Sequence, residues 1–116
     1  MKPAALSLCL LLIAALMSVG LSGAARAEDA AKYRIEFNDG AFEPRRLEVP
    51  ANKKLQIELV NKGQSPAEFE SKQLAKEKII VPGGTVTIAV RALDPGDYDF
   101  FDDFHPDAPP AVLVAR

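Results

Sequence analysis

Leu55-Gln56-Ile57-Glu58-Leu59 alternates apolar and polar side chains, and two further runs repeat the pattern. Tyr33, Ile35 and Phe37 alternate with Arg34 and Glu36, and Val86, Ile88 and Val90 alternate with Thr87 and Ala89. In an extended chain a period of two sends all the apolar side chains of a run to one face, so each run reads as a strand with one buried side. Turn signals separate them: Asn38-Asp39-Gly40, Pro50-Ala51-Asn52, Asn61-Lys62-Gly63, Pro82-Gly83-Gly84 and Asp94-Pro95-Gly96. Glycine tolerates positive φ, proline presets its own φ, and Asn and Asp bond their own backbone, so these clusters reverse the chain. Shorter strand candidates occupy residues 47–49, 67–70, 78–81, 98–101 and 111–115. Seven or eight strands at this spacing predict an all-β fold, a Greek-key β-sandwich whose two sheets bury their alternating faces against each other. Residues 71–77 hold Lys, Gln, Leu and Ala without a turn dipeptide, which predicts a single helical turn crossing between the sheets.

Upstream of this region the composition changes. Lys2 is followed by a nearly continuous apolar run over residues 6–21, then by Ala25-Arg26-Ala27 and Glu28. A basic start, an apolar centre and a small-x-small end form the pattern of a cleaved export signal. The apolar run is shorter than the roughly 20 residues of a membrane-spanning helix. The expectation is a signal peptide over residues 1–27, cleaved near Ala27, a domain over residues 28–116, and a periplasmic location. Cys9 lies inside the apolar run rather than after it, which argues against lipid attachment.

The leader carries off all the sulfur, since Cys9, Met1 and Met17 are the only Cys and Met residues of the chain. A mature chain without them has no disulfide, no thiolate nucleophile and no iron-sulfur cluster. Lys2 and Arg26 also leave, so twelve basic residues face sixteen acidic ones, a formal charge of −4. Nucleic acid is not expected as a partner, because binding phosphates needs a basic excess.

Two short segments concentrate metal-ligating groups. Glu68 and Glu70 are two apart on a strand candidate, so their carboxylates share a face and Phe69 takes the other. The pair repels itself unless a cation or basic group lies between, and Lys72, Lys76 and Lys78 are the basic candidates. The second segment, Asp99-Phe100-Phe101-Asp102-Asp103-Phe104-His105, interleaves acids and an imidazole with three aromatics. The aromatics are expected to plug one end of the sandwich and hold Asp102, Asp103 and His105 on an adjoining loop.

These segments also carry a resemblance. Phe42-x-Pro44, Leu47-x-Val49-Pro50-Ala51, Leu59-Val60-Asn61-Lys62-Gly63, Pro66-Ala67-Glu68-Phe69-Glu70, Leu93-x-Pro95-Gly96-x-Tyr98 and Phe101-Asp102-Asp103-Phe104-His105 resemble the cupredoxin fold of exported copper proteins. Within it the chain is similar to the cupredoxin-like domains that accompany bacterial high-affinity iron permeases, the EfeO and FtrB types. The resemblance implies that both acidic segments meet at one end of the sandwich. Glu68, Glu70, Asp102, Asp103 and His105 would then form a metal site for iron or copper, with an iron permease or another component of an uptake system as partner. It does not imply a blue-copper centre, which needs two His and a Cys thiolate.

An oxygen-rich set with one imidazole favours hard ions such as ferric iron and admits Cu(II) or Zn(II). Preference for Fe(III) over Fe(II) favours oxidation on capture, so ferroxidase activity is a secondary expectation behind metal binding. Two other classes stay open: a periplasmic copper-binding chaperone or sequestering protein, and a metal-free β-sandwich adaptor whose acidic end docks a basic partner. Hydrolysis is not expected, because Ser65 and Ser71 are the only serines after the leader, with one His and no nucleophile motif.

Overall fold

The computed structural model describes residues 30–116, and the expected leader lies outside the described residues. Nine strands make two sheets: β1 (Ala31–Asn38), β2 (Ala41–Glu43), β3 (Arg46–Val49), β4 (Leu55–Asn61), β5 (Ala67–Ser71), β6 (Lys76–Ile80), β7 (Thr85–Val90), β8 (Gly96–Asp102) and β9 (Ala111–Ala115). One sheet runs β2-β1-β4-β7 and the other β3-β9-β8-β5-β6. The β1/β4 and β3/β9 pairs are parallel, and the other neighbours are antiparallel.

The period-two runs supply the inner faces. Ile35, Phe37, Leu55, Ile57, Leu59, Ile88 and Val90 of the first sheet are buried against Val49, Phe69, Ile80, Phe100 and Leu113 of the second. Four rings join the layers: Phe37 stands edge-on to Phe42 (5.0 Å between centroids) and to Phe69 (6.5 Å), Phe69 stacks on Phe100 (5.2 Å), and Phe100 meets Phe42 edge-on (5.4 Å). Such pairs contribute about 0.5–1.5 kcal/mol each beyond the area they bury.

The structure differs from the sequence expectation in three places. First, β2 is an additional strand. Asp39 (φ 46°) and Gly40 (φ 95°) both adopt positive φ, so a two-residue turn returns the chain onto β1 with Asn38 opposite Ala41. Second, residues 71–77 form no helical turn; among the described residues there is no helix. Residues 72–75 are the turn of a β5–β6 hairpin within one sheet, with Ser71 opposite Lys76. The Leu74 amide donates to Ser71 Oγ (3.2 Å), the Ala75 amide donates to Lys72 O (3.1 Å), and Ala75 reverses the chain at φ 53°. Strand pairing bonds the backbone on both sides of the turn, whereas one isolated helical turn leaves most of its amides without partners. Third, of the expected aromatic plug only Phe100 is in the core. Phe101 is half-buried, Phe104 is 46% exposed, and Asp102 ends β8 instead of lying on a loop.

Candidate metal centre

Adjacency of β5 and β8 brings the two acidic segments together. Phe69 lies opposite Asp102 and Glu70 opposite Phe101, and the Asp103 amide donates to Glu68 O (3.0 Å). Glu68 and Glu70 project from the outer face of β5 while Phe69 fills the core, as alternation requires. Glu68, Glu70 and Asp103 each offer an oxygen, and the three atoms lie within 4.8 Å of one another. Two oxygens on opposite sides of one hard cation stand roughly 4–5 Å apart, so a single ion can reach all three.

The hairpin adds a carboxylate that the sequence expectation lacks. Glu77 of β6 lies opposite Glu70, on the same outer face, and bonds to the Glu68 carboxyl. That bond is the main reason the Glu68 carboxyl is pushed up from 4.5 to about 7; burial and repulsion from Glu77, Asp103 and Glu70 add to it. Glu68 is only 5% exposed, whereas Asp103 and Glu77 are exposed to solvent. Of the lysines expected as neutralising partners, Lys76 and Lys78 lie opposite the inward-facing Ser71 and Phe69, while Lys72 and Lys76 line one pocket with Glu70 and Glu77. Among the described residues the arginine–carboxylate ion pairs lie at other places, Arg34 with Glu36 and Glu58, and Arg46 and Arg116 with Glu48.

Asp102 and His105 are placed behind this cluster, in a different set of bonds. Asp102 is buried, and its Oδ1 accepts from the amides of Glu68 (2.9 Å) and Phe104 (3.1 Å). Its Oδ2 lies 2.7 Å from His105 Nδ1, and His105 Nε2 lies 3.1 Å from Ser65 Oγ. Ser65 Oγ donates to Asp39 Oδ1 (2.6 Å), and Asp39 also accepts from the Gln64 and Ser65 amides. The Ser65 bonds hold the Asp39 carboxyl below its ordinary range. With the Ser65 proton committed to Asp39, Ser65 Oγ is left to accept at His105 Nε2. No buried side-chain nitrogen or oxygen among the described residues lacks a partner.

Of the five expected ligands the structure thus gathers Glu68, Glu70 and Asp103 and turns Asp102 and His105 inward. Glu77, Ser65 and Asp39 are the participants that sequence reasoning omits. A hairpin reading of residues 71–77 would have found Glu77, since register then sets it against Glu70. A blue-copper centre does not fit these residues: residues 30–116 contain no Cys and no Met, and both nitrogens of their one His are engaged.

Comparison with known proteins agrees with the architecture. A family model described as a cupredoxin-like domain matches residues 9–115. An uncharacterised protein of Rickettsia prowazekii is 33% identical over 85 residues, spanning 73% of this chain and 68% of that protein. Among solved structures, reduced auracyanin from the photosynthetic bacterium Roseiflexus castenholzii superposes with a TM-score of 0.62 at 16% identity, covering 75% of this chain and 98% of its own. A purple cupredoxin from Nitrosopumilus maritimus gives 0.57 at 17% identity, covering 72% and 99%. A copper binding protein solved in the apo form gives 0.61 at 10% identity, covering 73% and 86%.

Proposed function

The chain belongs to the cupredoxin-like domain family, and from that premise we propose that it is a periplasmic metal-binding protein serving iron uptake, with Glu68, Glu70 and Asp103 as the ligands. The observation that carries this reading is the convergence of Glu68 with Glu70 and Asp103, an oxygen of each within 4.8 Å of the others, where repulsion adds to the Glu77 bond and burial in raising the Glu68 carboxyl. A group so placed is costly in the empty protein, and a cation among Glu68, Glu70 and Asp103 removes the cost. Three carboxylates with no nitrogen or sulfur donor select hard ions, and they hold Fe(III) more tightly than Fe(II). Capture of ferrous iron here would favour its one-electron oxidation, the electron passing to dioxygen or to a redox partner protein outside the domain. The expected partner is an iron permease or another component of the same uptake system.

A second reading is copper binding, as a chaperone or sequestering protein. Its support is that solved structures of similar fold include a copper binding protein. Cu(II) also binds most oxygen and nitrogen sites more tightly than Fe(II) or Zn(II) does.

The deciding experiment is titration of the protein with Fe(II), Fe(III), Cu(II) and Zn(II), repeated for Glu68→Ala, Glu70→Ala and Asp103→Ala. The site predicts at least tenfold weaker binding in each variant; unchanged affinity for every metal in all three would sink it. Tighter retention of iron than of copper under competition favours the uptake reading, and the reverse favours the copper reading.

A further inference from the structure

The bonds running Asp39–Ser65–His105–Asp102 have the spacings of a Ser-His-Asp triad, 3.1 Å from Oγ to Nε2 and 2.7 Å from Nδ1 to the buried acid. They are not arranged for nucleophilic attack. A serine nucleophile must give its proton to the imidazole, whereas Ser65 Oγ gives its own to Asp39 at 2.6 Å. The backbone donors beside it, the Gln64 and Ser65 amides, are also taken up by Asp39 and are not free to stabilise an oxyanion.

The chain of bonds leads instead to Asp102, whose Oδ1 is shared between two amides. One belongs to Glu68 and the other to Phe104, the residue next to Asp103. A single carboxylate oxygen therefore ties the backbone of one ligand to the neighbour of another, and the Asp103 amide closes the link on Glu68 O. Asp102 in turn is oriented by His105, His105 by Ser65, and Ser65 by Asp39 in the β1–β2 turn. Close packing fixes this path: a Cβ on Gly63 would come within 2.5 Å of Asp39 Oδ1, and one on Gly40 within 3.2 Å of His105 Cβ.

We propose that Asp102, His105, Ser65 and Asp39 are positioning residues that set the spacing of Glu68 and Asp103 at the metal centre, and that His105 is not itself a ligand. This rests on the assignment of Glu68, Glu70 and Asp103 as ligands. Groups that orient ligands from behind typically change metal affinity by about 10–100-fold when removed.

The test uses the whole protein with Cu(II) as probe, read by affinity and by electron paramagnetic resonance. The variants are Glu70→Gln, Asp102→Asn, His105→Gln, Ser65→Ala and Ser65→Thr, with urea midpoints of the metal-free proteins measured alongside. The expected result is loss of affinity in Glu70→Gln, loss of about tenfold in Asp102→Asn, His105→Gln and Ser65→Ala, and near-recovery in Ser65→Thr, which keeps the hydroxyl. The wild-type spectrum should show no nitrogen superhyperfine lines. Nitrogen lines that vanish in His105→Gln would make His105 a ligand and overturn the proposal. So would undiminished affinity in Ser65→Ala and His105→Gln alongside a weakened Glu70→Gln, an outcome that leaves the ligand assignment standing. Equal binding by wild type and Glu70→Gln would remove that assignment, and the positioning role with it.

Discussion

Glu68 gives the metal-free protein a pH dependence of unusual sign for a carboxylate. In the unfolded chain a glutamate releases its proton near pH 4.5, whereas beside Glu77, Asp103 and Glu70 it holds the proton to about pH 7. Between these values the folded state binds a proton that the unfolded state has lost. The contribution to stability is therefore fully present below about pH 4.5 and is lost as pH rises through about 7. Urea midpoints measured across that window should fall with pH in the wild type and fall less in Glu68→Gln. Metal binding follows the opposite course, because a cation must displace the proton: affinity rises as pH approaches 7, and below it binding releases a proton that calorimetry in two buffers can count. Gly63 offers a steric counterpart. Its missing Cβ would meet Asp39 Oδ1 at 2.5 Å and the Asp39 amide nitrogen at 2.7 Å, so Gly63→Ala should destabilise the fold by about 1–3 kcal/mol in equilibrium unfolding.

Strands with strong alternation were legible in the sequence, and those defined by a turn were not. Residues 33–37, 55–59 and 86–90 show their buried face in their composition, and they fall within β1, β4 and β7. The three residues of β2 are too few to show a period, and what defines them is positive φ at Asp39 and Gly40, a backbone property. The β5–β6 hairpin was hidden for a related reason: Lys, Gln and Ala favour helix locally, yet pairing with β5 satisfies more of the backbone. The candidate site shared this fate. Alternation predicts a common face for Glu68 and Glu70, while the inward turn of Asp102 depends on which amides lie nearby, and Glu77 depends on register. β6 is an edge strand of its sheet, held along one side only. Metal loading should relieve the repulsion between Glu68 and Glu77 and slow amide hydrogen exchange over residues 76–80 more than over β7, an edge strand of the other sheet that contributes no carboxylate.

On the scale of the whole molecule, four interlocked rings bridge the two layers. Phe69 touches both Phe37 and Phe100, and Phe69→Ala should cost about 3–5 kcal/mol, a large share of the roughly 5–15 kcal/mol available to a small domain. Metal at a hundredfold excess over its Kd returns about 2.7 kcal/mol, so thermal scans of Phe69→Ala should show a larger fraction folded with metal than without. Strand directions add a polarity to this body. β1 begins at Ala31, level with Leu55 and Val90, and runs toward Asp39, while Ala115 of β9 lies level with Gly96, at the far end of β8 from Asp102. Both chain ends of the sandwich thus leave from the pole opposite the carboxylates. A linker, a surface attachment or a fused domain joined at either end would leave the acidic pole open to solution, free to meet an incoming ion or a docking protein face-on.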